Sequence, residues 1–133
     1  MKIVVDTNVL VRSVVRDHPA QARAADKALK KATAIAVTLP VLCEFVWVLR
    51  SVYGIEQRDI CTAVRALMET SNVLANRSAI EAGLALYEAG GDFADGVIAH
   101  EGQQLGAEAF VSFDRTAVTL LAEQGHAAVL LKG

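Results

Sequence analysis

Met1-Lys-Ile-Val-Val-Asp6-Thr-Asn-Val-Leu10-Val-Arg-Ser13 opens the chain with a short apolar run that breaks off at an acid followed by two polar residues. Ile3, Val4 and Val5 form a β-branched run with no polar interruption, the pattern of a central strand in a parallel sheet covered on both faces. Asp6 then falls at the strand's carboxyl end. In open α/β sheets the ligand crevice lies outside those ends, so this carboxylate arrives where an active site is expected. Thr7 and Asn8 suit a helix start, with Val9, Leu10 and Val14 as its inward stripe. Asp is also a common N-cap, and capping alone would account for Asp6.

The alternation continues outward from there. His18-Pro19 breaks the first helix, and an Ala-rich helix over Ala20 to Lys31 presents Gln21, Lys27 and Lys31 to solvent. A short apolar strand over Ala34 to Thr38 leads to Pro40, well suited to a first helical position. Helices are expected over Pro40 to Val52, over Glu56 to Thr70, and from a Ser78 cap to Gly90-Gly91, with Val73 to Ala75 as a brief strand. Ala109 to Phe113 and Ala127 to Leu131 read as strands flanking a helix over Arg115 to Glu123. Strands alternating with helices imply right-handed crossovers and a parallel sheet with its βα loops along one edge.

Two helices carry acids in unusual settings. In the Pro40 to Val52 helix, Val41, Phe45, Val48, Leu49 and Val52 form a stripe, and Glu44 lies at its edge, one turn from Val41 and Val48. A carboxylate beside a buried stripe is costly unless it is paired, hydrogen-bonded or bound to metal. Leu42, Val46 and Trp47 make the rest of this helix apolar, which points to a homodimer interface. Further on, Asp92 and Asp95 are spaced to share a helix face that Ala99 and Gly102 continue with small residues, as if the backbone came close to the sheet. Asp114 repeats the Asp6 arrangement at a later strand's end.

Acids from strand ends, Asp6 and Asp114, and from helices, Glu44 and Asp95 with Asp92 nearby, would repel one another strongly unless they bind a cation. The donors are all carboxylates, which selects Mg²⁺ or Mn²⁺ over zinc. His18, His100 and His126 sit away from this set and read as surface or satisfied side chains.

Whole-chain numbers bound the possibilities. A chain of 133 residues that is 53% hydrophobic is expected to form one domain, residues 1–133, with a real core. Thirteen basic against 15 acidic side chains, a net charge of −2, argue against a generic polyanion-coating protein but not against a nuclease with few, local contacts. Cys43 and Cys61 have neither Cys-x-x-Cys nor zinc spacing and read as buried thiols in a reducing compartment. With no signal-peptide pattern and no apolar run of membrane length, a cytoplasmic protein is expected. No Gly-x-Ser-x-Gly elbow, Walker loop or Gly-x-Gly-x-x-Gly turn occurs.

Four motifs in order carry a family resemblance: Asp6-Thr-Asn-Val-Leu10, Glu44 within Pro40-Val-Leu-Cys-Glu-Phe-Val-Trp-Val-Leu49, Asp92-Phe-Ala-Asp-Gly-Val-Ile-Ala99, and Phe113-Asp114-Arg115. Together they resemble the PIN-domain ribonucleases, and among these the VapC toxins of bacterial toxin-antitoxin pairs. The resemblance implies a three-layer α/β/α sandwich around a central five-stranded parallel sheet. It further implies a divalent-metal endoribonuclease held inactive by a VapB-type antitoxin. Asp6, Glu44 and Asp95 match the family's three principal acids, Asp114 the fourth, and Asp92 an additional acid found in part of the family. Ser112 stands where many members have threonine and is expected to supply a hydroxyl to the metal site. Arg12, Arg16, Arg50 and Arg115 are the candidates for gripping RNA. Two other readings compete. A PIN-like relative without activity would be a binding module. An Asp-dependent phosphatase or phosphoacceptor also places Asp after a first strand, but the phosphatase needs a second Asp where Asn8 stands, and the paired acids and late lysine of a receiver domain are missing.

Overall fold

The computed structural model describes all residues from Met1 to Gly133. It divides into two compact units, Met1–Asn76 and Arg77–Gly133.

In the first unit, strands β1 (Lys2–Val4), β2 (Ala34–Ala36) and β3 (Val73–Leu74) form a parallel sheet in the order β1-β2-β3. Helices α1 (Thr7–Val14), α2 (Pro19–Lys31), α3 (Leu39–Ser51) and α4 (Gln57–Glu69) complete it. The middle strand is β2, where Ala34 and Ile35 are buried. Of the Ile3-Val4-Val5 run, Ile3 and Val4 lie in β1, an outer strand of this sheet, with Val4 66% exposed, while Val5 follows the strand and is buried. An uninterrupted apolar run thus specified a strand without specifying its neighbours, because strand partners depend on residues distant in sequence.

Helix α1 packs on both α2 and α3. Leu10 and Val11 of α1, Ala22 and Ala25 of α2, and Leu42, Phe45, Val46 and Leu49 of α3 are buried. The inward stripe of α3 is therefore rotated from the expected one: Val41 and Val48 are half-buried, while Trp47 and Val52 are 62% and 61% exposed. Because nearly every position of this helix is apolar, periodicity alone could not choose its inner face. Thr38 caps α3 by accepting from the Val41 N–H at 3.5 Å. After α3, Gly54 adopts a left-handed φ of 64° that a side chain would oppose, and its N–H donates to the Arg50 carbonyl at 3.1 Å.

In the second unit, β4 (Phe110–Ser112) and β5 (Ala128–Leu130) pair in parallel, connected through α7 (Arg115–Glu123). Helices α5 (Arg77–Glu88) and α6 (Phe93–Gln104) form a closely packed pair. Ser78 lies inside the first turn of α5 rather than capping it. A Cβ added at Gly96 would meet the Ala82 carbonyl oxygen at 2.5 Å and Gly83 Cα at 2.9 Å; one at Gly83 would meet Phe93 at 2.7 Å and Val97 at 2.8 Å. Gly96 thus brings the backbone of α6 against α5, while Ala99, on the face expected to meet the sheet, does pack beside Phe110 of β4 and Ala128 of β5. Leu86, Ala99 and Leu121 form a buried cluster against Phe110, Leu120 and Ala128.

The strands are parallel throughout, as the alternation implied, but they pair as sheets of three and two in place of one sheet of five. Cys43 is half-buried and Cys61 buried, with no disulfide. No helix is long and apolar enough to cross a membrane.

Candidate active site

In the first unit, the turn after β1 delivers Asp6 to the amino end of α1. Its Oδ1 accepts from the Val9 N–H at 3.2 Å, so the acid does cap the helix. Capping uses one carboxylate oxygen and leaves Oδ2 outside that bond. Asp6 and Glu44 line one groove of about 310 Å³ together with Thr7, Asn8, Val41 and Val48. Both acids are exposed. Glu44 stands at the margin of the apolar face of α3, on its solvated side, so it escapes the burial cost that its spacing implied.

The second unit gathers three acids differently. Asp92 caps α6, its Oδ1 accepting from the Ala94 N–H at 3.4 Å, and Asp114 caps α7 by accepting from the Ala117 N–H at 3.1 Å. Asp95 lies in the first turn of α6 and is half-buried. Burial, then the Asp92 carboxylate, then the Asp114 carboxylate raise its carboxyl above the usual range. No lysine or arginine forms a salt bridge with any of these three acids. Ser112 Oγ accepts from the Asp114 N–H at 2.9 Å, so the hydroxyl steadies the backbone that carries Asp114.

The arginines are largely committed within the fold. Arg12 bonds Asp17 at 2.7 Å, Gln21 at 2.8 Å and the Tyr53 hydroxyl at 3.2 Å. Arg16 pairs with Asp26 at 2.8 and 3.2 Å and holds that carboxyl below its ordinary range. Arg50 donates to the Ile55 carbonyl at 3.2 Å, whereas Arg115 is exposed at the start of α7. Of the histidines, His18 caps α2 by accepting from the Gln21 N–H at 3.2 Å, and His126 Nδ1 lies 3.1 Å from Gln103 Nε2. His100 departs from the expectation, because its Nε2 is buried with no hydrogen-bond partner.

The sequence matches the PIN domain family over residues 3–119, a span that includes all five acids. The chain belongs to the PIN domain family. No curated protein matches it in sequence. A PIN domain has a nuclease-type fold, and members of the family generally use divalent metal ions.

Tested against these residues, the family's metal requirement fits in donor type and charge. Asp6, Glu44, Asp92, Asp95 and Asp114 offer hard oxygen donors, which suit Mg²⁺ or Mn²⁺. The field at Asp95 is negative and uncompensated by a basic side chain. No three His, Cys, Asp or Glu side chains stand close enough to form a ready-made metal-binding group. The close approach of Gly83 and Gly96, which seats α6 and hence Asp95, was not legible beforehand, since a glycine's packing role depends on the helix facing it.

Proposed function

We propose that this PIN domain is a Mg²⁺- or Mn²⁺-dependent endoribonuclease, the toxin of a toxin-antitoxin pair of the VapC type. The observation that carries the reading is the PIN family match over residues 3–119, a span that holds all five acids, with Asp95 half-buried beside the carboxylates of Asp92 and Asp114 and no salt bridge to offset them. Such an arrangement is costly in the metal-free protein and is relieved by a cation.

Asp6, Glu44, Asp95 and Asp114 are assigned as the acids that hold the metal, with Asp92 as a further ligand. A divalent ion held by these oxygens would supply an activated water and neutralise phosphate charge. The chain's own contribution is to hold these oxygens in place. Cap bonds fix one oxygen each of Asp6, Asp92 and Asp114, and Ser112 fixes the Asp114 backbone. One of the carboxylates accepts the proton of the attacking water. No histidine pair is placed to serve a 2′-hydroxyl attack, so water attack leaves a 5′-phosphate and a 3′-hydroxyl. A VapB-type antitoxin is the expected partner. Trp47 and Val52, exposed on and just beyond α3, support a homodimer contact. The proposed compartment is the cytoplasm.

A second reading, a PIN domain that binds RNA without cutting it, draws on the absence of a ready-made three-ligand group. One assay separates the two. Cleavage of RNA with Mg²⁺ or Mn²⁺, abolished by chelator and leaving 5′-phosphate ends, is the expected result. Binding without cleavage would select the second reading, and cleavage undiminished by chelator or ending in 2′,3′-cyclic phosphate would overturn the proposed mechanism.

A further inference from the structure

The groove that holds Asp6 and Glu44 does not end at Asp6. Asp6 and Asn8 also line a second cleft, about 350 Å³, bounded by Val9 and Arg12 of α1 and by Gln21, Ala24, Ala25 and Ala28 of α2. Small-molecule pockets span roughly 300–1,000 Å³, so this one is at the small end of that range. Its floor is apolar and flat, since Ala24, Ala25 and Ala28 put only methyl groups beside Val9. Asp6 and Asn8 line it from the start of α1, and Arg12 of the last turn of α1 and Gln21 of α2 form a polar pair whose geometry is preset. Arg12 Nε donates to Gln21 Oε1 at 2.8 Å, while Asp17 and the Tyr53 hydroxyl hold Nη1 of Arg12 at 2.7 and 3.2 Å. That bond occupies the acceptor of the Gln21 amide and leaves its Nε2 hydrogens for a ligand.

We propose that the cleft between α1 and α2 is a base-binding subsite that receives one unpaired nucleobase of the RNA flanking the cleavage point, with Gln21 and Arg12 determining which base enters. The proposal rests on the ribonuclease reading of the Asp6–Glu44 groove. A phosphate does not suit the cleft, because the Asp6 carboxylate lines it and the charge of Arg12 is already balanced by Asp17. A neutral planar ring suits it well: the methyl floor takes one face, the guanidinium plane offers a stacking surface, and the amide reads the ring's edge. Since Gln21 presents donors, the favoured base carries an acceptor at its exocyclic position, O6 in guanine or O4 in uracil. At the corresponding position adenine and cytosine carry an amino group, which is a donor.

The test uses the full-length chain with two substitutions at exposed positions of α2. Ala24→Leu fills the cleft, and Gln21→Ala removes the reading group. Binding of short single-stranded oligoribonucleotides of fixed sequence is measured in chelator by fluorescence anisotropy. Cleavage of a randomised RNA pool with Mg²⁺ is measured by sequencing the ends. The expected result is about a tenfold weaker Kd for keto-base oligomers with Ala24→Leu, the loss associated with ~1.4 kcal/mol. With Gln21→Ala, a guanine or uracil preference at one position beside the cut flattens while cleavage continues. Wild-type cleavage with the same base preference and affinity in both variants overturns the subsite and leaves the nuclease reading standing. Binding that Ala24→Leu weakens, in a protein that never cleaves, supports the subsite and removes the nuclease. A changed oligomeric state of Ala24→Leu by light scattering, with RNA affinity intact, gives the cleft to a second copy and overturns the proposal. A wild-type protein that neither binds nor cuts RNA overturns both.

Discussion

The two units carry their acids in opposite ways. Asp6 and Glu44 face an open groove and are solvated, so water offsets their charge whether or not a cation is near. Asp95 is half-buried, and Asp92 and Asp114 act on it electrostatically, so the fold itself makes its charge expensive. The lesson is that the candidate acids differ in what their charge costs the fold. Exposed acids are placed at little expense to stability, whereas a buried acid stores repulsion that only protonation or a cation removes. Substituting one acid from each unit therefore separates what the acids do for chemistry from what they do to folding.

The largest expected effect is on activity, where the two units should behave alike. Glu44→Gln and Asp95→Asn each keep size and remove a charge, and each should lower RNA cleavage by on the order of 10³-fold, the scale of losing a group that stabilises developing charge. Single-turnover cleavage with Mg²⁺ provides the measurement. Loss in only one of the two variants would confine the chemistry to one unit.

Next in size is packing beneath Asp95. Gly96→Val places carbon atoms where the Ala82 carbonyl oxygen and Gly83 Cα already stand, and α6 must shift away from α5. The expected cost is about 1–3 kcal/mol, typical of overpacking, and the melting temperature should fall by several degrees. Because Asp95 precedes Gly96, activity should fall with stability. A neutral Gly96→Val melt would show that α5 and α6 separate readily.

Much of this was legible in the sequence. The helix over Arg115 to Glu123 has the predicted bounds, the other elements fall within a few residues of theirs, and Asp6 and Asp114 do follow strands and start helices. These are local features, fixed by apolar runs, caps and breaks. What failed was non-local. The Ile3-Val4-Val5 run could not name its strand partners, nor could an all-apolar α3 name its inner face. The helical spacing of Glu44 implies a burial cost, and its exposure removes that cost. Asp95 was argued from helical spacing, and the half-buried, mutually repelling environment expected of it is present. The Arg12–Gln21 contact joins residues from two helices and leaves no sequence signal.

A smaller effect follows from the Asp95 carboxyl. Its folded pKa is raised above the unfolded value, so between the two the folded state binds more protons than the unfolded one. Metal-free stability should therefore fall as pH rises from the ordinary aspartate range through the raised folded pKa, and level off above it. Asp95→Asn should remove this component and raise the melting temperature at neutral pH by about 1–3 °C, since partial solvent screening keeps the relief under ~1 kcal/mol. Mg²⁺ should stabilise the wild type more than the variant. A purely structural Asp95 gives the reverse: a lower melting temperature in the variant and an unchanged metal response.

The smallest expected change is the one that completes the contrast. Asp6 caps α1 through Oδ1, and the amide oxygen of Asn can accept the same Val9 N–H. Asp6→Asn should therefore alter metal-free stability by only a few tenths of a kcal/mol, the small remainder being the carboxylate's favourable interaction with the helix dipole. Asp6→Ala should cost about 1 kcal/mol, because the N–H loses its acceptor altogether. Thermal melts in chelator compare the three proteins, and cleavage assays run beside them. If Asp6 is only a cap, Asp6→Asn keeps both stability and activity. If it also serves chemistry through its other oxygen, Asp6→Asn folds like the wild type and does not cut. An Asp6→Asn protein that is markedly stabilised would contradict the solvated setting drawn for this acid, and would place it with Asp95 among the carboxylates whose charge the fold resists.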